Sequence, residues 1–189
     1  HIGLVIADVS GKGIPAAIFM AVSRTLTRAT GIRGGSPADC ISYTNRLLAA
    51  ESVNCMFVTM FYGILDVNSG EIVYCNAGHN PPFLLQNGEV KTLPLTMDPM
   101  VGAIDGIEYH ENTIQLGASD ALVLFTDGVT EAMNSTYEEF GEERLKQTLA
   151  RVSQLSCQQI VEAIKADVAT FVGDAEQSDD ITVLVLKKK

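Results

Sequence analysis

Three aspartates sit where apolar runs meet turns. Asp8 closes IGLVIAD ahead of VSGKG, Asp127 closes ALVLFTD ahead of a glycine, and Asp179 opens SDDITVLVL with Asp180 behind it. Carboxylates are hard oxygen donors that suit magnesium, manganese or calcium better than zinc. Gathered at one rim, three of them repel unless a cation neutralises them or some stay protonated. Taken singly, each aspartate is equally a turn or helix cap, and spacing does not show that the three meet. A phosphate-cradling loop competes at the first site. A Walker loop needs Ser or Thr after its lysine, whereas Lys12 is followed by Gly13. A dinucleotide fingerprint needs a third glycine where Ala16 stands, and a regular βαβ unit after it. The spacing favours a metal ligand over a nucleotide loop.

The elements that must position these residues follow from periodicity. Residues 2–7 read as a buried strand. Ile14, Ala17, Ile18, Ala21, Val22 and Leu26 recur at helical spacing over 14–30, with Pro15 in the first turn and GIRGGS as the break. Ser36 caps a second helix, with Pro37 in its first turn, over 37–50. MFVTMFYGILDV, EIVYCNAG and PFLLQ read as strands, and PFLLQ-NG-EVKTL as a hairpin with a type I′ turn at Asn87-Gly88. IEYHENTIQL and DALVLFTD continue the sheet. FGEERLKQTLARV and SCQQIVEAIKADVATFV are helices, the latter with Cys157, Ile160, Val161, Ile164, Val168 and Phe171 on one face, and ITVLVLK is a last strand. Hairpin-linked strands without regular βα alternation predict an α+β domain with antiparallel sheets and helices outside them. The expectation is one domain over 1–189, with no linker or internal repeat.

The net charge of −10 argues against a nucleic-acid partner, whose phosphates it would repel. No apolar run is long enough to span a bilayer. Cys40, Cys55, Cys75 and Cys157 form no CxxC pair, which predicts small buried hydrophobes and a reducing, cytoplasmic setting. His1 is not a start methionine, so targeting or membrane-anchoring segments ahead of it are left open.

ADVSGKGIPAA, NAGHNPP, LFTDGVTEA and SDDITVLVL, in that order, resemble the bacterial SpoIIE/RsbU-type branch of the metal-dependent protein phosphatase 2C (PPM) family. The resemblance covers essentially the whole chain. It implies a sandwich of two antiparallel sheets flanked by helices, and hydrolysis of phosphoserine or phosphothreonine through a water bridging two manganese or magnesium ions. By motif, Asp8 bridges the metals and the Val9 carbonyl ligates one of them. Asp127 and Asp179 hold the second metal, and Asp180 supports the site through hydrogen bonds.

The resemblance further implies a phosphorylated regulatory protein as substrate, typically a STAS-type anti-sigma-factor antagonist, and an upstream sensor or receiver domain. The family pattern also carries an aspartate in a GGDYYD-like segment ahead of ADVSG, and the sequence begins after that point. The expectations are a chain that is weak or inactive by itself while the full-length protein is active, a first strand with an exposed edge, and a dimer or swapped assembly through that edge. The alternative is a pseudophosphatase that sequesters its partner without turnover. His79 reads as a locally hydrogen-bonded turn residue and Lys12 as a solvated turn lysine. The helices over 14–30 and 37–50 are the expected regulatory elements.

Overall fold

The computed structural model describes residues 1–51 and 56–188, so Cys55 lies outside the described residues. The described chain divides into two compact units, residues 1–79 with 94–115 and residues 80–93 with 116–189. Each carries one four-stranded antiparallel sheet and its own helices, which matches the expected α+β class.

The first unit contains β1 (Ile2–Val9), α1 (Ile14–Ile32), α2 (Pro37–Glu51), β2 (Val58–Leu65), β3 (Glu71–Ala77) and, later in the chain, β6 (Asn112–Gln115). Its strand order is β1-β2-β3-β6, which leaves β1 at one edge of the described sheet. Val58, Met60 and Tyr62 alternate along β2 and pack with Ile41, Leu48 and Val101 into one core, the period of two expected of a strand with one face against helices.

The face that α1 buries differs from the apolar stripe in its sequence. Ser23 and Thr27 are buried, while Ile14 is 78% and Ile18 60% exposed. The hydroxyls of Ser23 and Thr27 donate to the carbonyls of Phe19 and Ser23, four residues back. A hydroxyl satisfied within its own helix can be buried without a desolvation penalty. The helix also runs past Gly31 and stops only where Gly34 and Gly35 take positive φ. At α2, Ser36 Oγ accepts from Asp39 N, as a capping residue should.

The second unit contains β4 (Phe83–Gln86), β5 (Glu89–Thr92), β7 (Ala121–Phe125), α3 (Asp127–Thr130), α4 (Gly141–Val152), α5 (Cys157–Val172) and β8 (Val183–Lys187), with strand order β5-β4-β7-β8. Asn87 and Gly88 both have positive φ, the conformation a type I′ hairpin requires. Phe83, Leu85, Val123 and Phe125 pack against Leu145, Leu149, Ile160, Ile164 and Val168. A capping box formed by Ser156 and Gln159 starts α5.

Two elements depart from the sequence expectation. IEYHENTIQL forms a strand only over Asn112–Gln115. Before it, Asp98 accepts hydrogen bonds from His110 N at 2.9 Å and pairs with His110 Nδ1 at 2.8 Å, holding that stretch to a loop instead of a neighbouring strand. Asp127 begins α3 after the strand has ended, and Asp179 and Asp180 precede β8 by a short loop.

Candidate metal centre

In the first unit, β1 pairs with β2 in a register that sets Asp8 opposite Thr59 and Val9 opposite Val58. The ladder continues one step beyond the strand, where Ser10 N donates to Phe57 O at 2.9 Å and Phe57 N donates to Ser10 Oγ at 3.0 Å. A trans peptide points its C=O opposite to its N–H. With Ser10 N aimed at Phe57, the Val9 carbonyl is therefore aimed away from β2, on the open side of an edge strand. The backbone then turns through Gly11 (φ 84°) and Gly13 (φ 81°) into α1, with no neighbour that a Cβ would touch at either position. Conformation, and not crowding, calls for glycine there.

In the second unit, β7 is buried along its whole length and delivers Thr126 and Asp127 at its end. Thr126 joins this turn to the loop before β8. Its Oγ1 donates to Asp180 O at 2.9 Å and accepts from Thr182 N at 3.0 Å. Gly128 is forced by proximity: a Cβ there would collide with the Asp180 carbonyl. Asp127 and the Asp179–Asp180 loop are thus brought together. Asp179 Oδ1 accepts from Asp180 N at 2.8 Å, and the Asp180 main-chain carbonyl accepts from Thr126 Oγ1.

Asp127 Oδ1 is buried without a hydrogen-bond partner among the described residues. Such an oxygen is costly unless something neutralises it. Glu131, one helical turn on, has its carboxyl held above its ordinary value by burial first, and then by the charges of Asp127, Glu139 and Asp179. Several carboxylates share this neighbourhood, and a divalent cation of the hard class fits the donor set. No group of three or more His, Cys, Asp or Glu among the described residues is arranged to hold a metal ion.

Sequence reasoning missed Glu131, Thr126 and Thr59. Glu131 stands four residues after Asp127, the spacing that joins neighbours on a helix, and it would have been found had 127–130 been read as helical. Cys40 and Cys75 take no part. Burial raises the Cys40 thiol to about 11 and pushes Cys75 up as well, so neither is a thiolate nucleophile at neutral pH. Cys40, Cys75 and Cys157 are free thiols. No helix among the described residues is long and apolar enough to cross a membrane.

The profile of the Stage II sporulation protein E (SpoIIE) family matches residues 1–189. The chain belongs to the SpoIIE family. It is 31% identical over 191 residues to the phosphoserine phosphatase RsbU of Bacillus subtilis, an alignment covering 100% of this chain and 56% of RsbU. The chain spans 56% of the length of RsbU and 33% of that of Protein IcfG of Synechocystis sp., to which it is 28% identical over 98% of this chain. Its fold superposes with a TM-score of 0.83 on the RsbU and RsbW domains of Rv1364c from Mycobacterium tuberculosis, at 24% identity over 99% of this chain and 51% of that one. It superposes with a TM-score of 0.65 on the catalytic domain of the serine/threonine phosphatase PstP with two manganese ions, at 15% identity over 97% and 86%. At these identities the two structures show a shared fold.

Proposed function

We propose that this chain is a metal-dependent protein serine/threonine phosphatase domain whose substrate is a phosphorylated regulatory protein. Membership of the SpoIIE family and similarity to RsbU support the reaction class. The buried, unpartnered Oδ1 of Asp127 is the observation in this chain that carries it. Two divalent cations, manganese or magnesium, are the implied cofactor, with Asp8, the Val9 carbonyl, Asp127 and Asp179 as the ligands that the motifs assign. When bound, such cations neutralise charge on phosphoryl oxygens and activate water for attack.

The chain's own residues then supply placement. Thr126 and Gly128 hold the Asp127 turn against the Asp179 loop, and Gly11 and Gly13 turn the backbone so that Asp8 and Val9 end a strand. No phosphoenzyme is required, which agrees with the raised cysteine thiols. A STAS-type anti-sigma antagonist is the substrate class, the setting is cytoplasmic, and the edge of β1 is where a second copy pairs.

A second reading is a binding module that sequesters a signalling partner without turnover. Phosphate release from a phosphoserine peptide with manganese decides between them. The proposed enzyme turns over, and Asp127→Asn lowers the rate by about a hundredfold or more while the protein stays folded by circular dichroism. Equal rates for Asp127→Asn and wild type overturn the metal assignment, and no turnover by a version extended through the upstream segment leaves the binding module.

A further inference from the structure

The NAGHNPP motif builds a turn whose geometry is fixed from several directions. Asn76 Oδ1 accepts the backbone N–H of His79 at 2.8 Å, and Thr96 Oγ1 donates to the Asn76 carbonyl at 2.9 Å. Gly78 has φ 68°, and a Cβ there would stand 3.1 Å from Met100 N. The turn so held delivers His79 into the interior, where it is 3% exposed. A solvated turn histidine would not need this much support.

His79 Nδ1 lies 2.9 Å from Thr59 Oγ1. Thr59 is the cross-strand partner of Asp8, and its hydroxyl donates to the Asp8 carbonyl at 3.4 Å. A threonine hydroxyl has one hydrogen to give. In the tautomer with the proton on Nδ1, Oγ1 accepts the Nδ1–H of His79 and its own hydrogen is left for the Asp8 carbonyl, so the imidazole orients the hydroxyl. The peptide between Asp8 and Val9 contains that carbonyl and is planar. Fixing it fixes the Cα positions from which the Asp8 side chain and the Val9 carbonyl depart.

We infer that His79 is a positioning residue for the metal centre, acting through the Thr59 hydroxyl on the Asp8–Val9 peptide. The inference rests on the reading of Asp8 as a metal ligand. It assigns the motif histidine a task distinct from proton transfer to substrate. It also accounts for a threonine on an otherwise apolar stretch of β2, since valine would fill the space and lack the hydroxyl.

Manganese affinity measured by calorimetry on this chain tests the relay. Thr59→Val and His79→Leu are each expected to weaken binding by about tenfold. The double variant is expected to bind no more weakly than the worse single one, because both break one relay. Thr59→Ser keeps the hydroxyl, and His79→Asn keeps an N–H donor near the Nδ1 position. Both are expected to bind within about twofold of wild type by the same logic. A merely structural role would instead lower the metal-free melting temperature of every variant and leave the affinity of the folded protein unchanged. Asp8→Asn separates the two levels. If it abolishes binding while Thr59→Val and His79→Leu bind as wild type, the relay is overturned and Asp8 keeps its role. If Asp8→Asn binds as wild type, the reading of Asp8 falls and the relay falls with it.

Discussion

Gly128 is the residue on which the proposed second-metal ligands most depend. The atoms that a Cβ at 128 would meet are backbone: the Asp180 carbonyl, whose carbon would be 2.9 Å away, and the Asp179 carbonyl carbon at 3.3 Å. A flexible side chain could swing aside; these atoms move only if the loop moves. Gly128→Ala should therefore destabilise the protein by about 1–3 kcal/mol and weaken manganese binding together. Urea unfolding and calorimetry on the same samples check this, and an alanine variant with wild-type values for both would show that the loop is free to shift. The glycine itself was legible in the sequence, as part of LFTDG. Its reason was not, because the loop that crowds it lies more than fifty residues downstream and only the fold brings it close.

At the scale of elements, α1 shows where periodicity misleads. Its apolar positions predict a buried stripe, yet Ile14, Ile18 and Val22 are exposed, and Ser23 and Thr27 are buried. Hydropathy counts a hydroxyl as polar, whereas one bonded to its own helix carbonyl packs as a small side chain. The two kinds of position respond differently to substitution. Ile18→Gln should change stability by less than about 0.5 kcal/mol. Leu145→Ala, on the fully buried face of α4, should cost about 2–5 kcal/mol. Chemical denaturation of both variants measures the contrast, and equal losses would refute it. The helices whose apolar faces do meet a core, α4 and α5, were readable from periodicity, whereas the Ser156–Gln159 capping box of α5 emerged only from the structure. The Asn87-Gly88 hairpin was readable too, because its signal is local.

For the molecule as a whole, the sequence carried the fold class and the order of the motifs. What it did not carry were pairings between distant segments. The Asp98–His110 pair is the clearest case, since it turns an expected strand into a docked loop. That pair also gives stability a pH dependence. Hydrogen bonding to Asp98 first, then the charge of Asp98, raise the pKa of His110 above its ordinary 6.5, with Glu108 adding to the shift. A group whose pKa is raised on folding contributes stability that is fully present below its unfolded value and lost as pH rises through the folded value. The melting temperature should thus fall as pH rises from about 6.5, and His110→Gln should flatten the slope in that window. An unchanged slope in the variant would assign the dependence to other groups.

The orientation of the Val9 carbonyl has a bearing on how such domains drift. A donor that belongs to the main chain is indifferent to the side chain at its position, because every residue type presents the same oxygen as long as the strand keeps its register. Point substitution can erase Asp8, Asp127 or Asp179 in one step. It reaches the oxygen of residue 9 only by disturbing the backbone, for instance with proline at position 10, which would remove the N–H that Phe57 receives. A lineage that loses these aspartates would still inherit this carbonyl, so residue identity at position 9 is a poor guide to whether a descendant keeps the proposed ligand set.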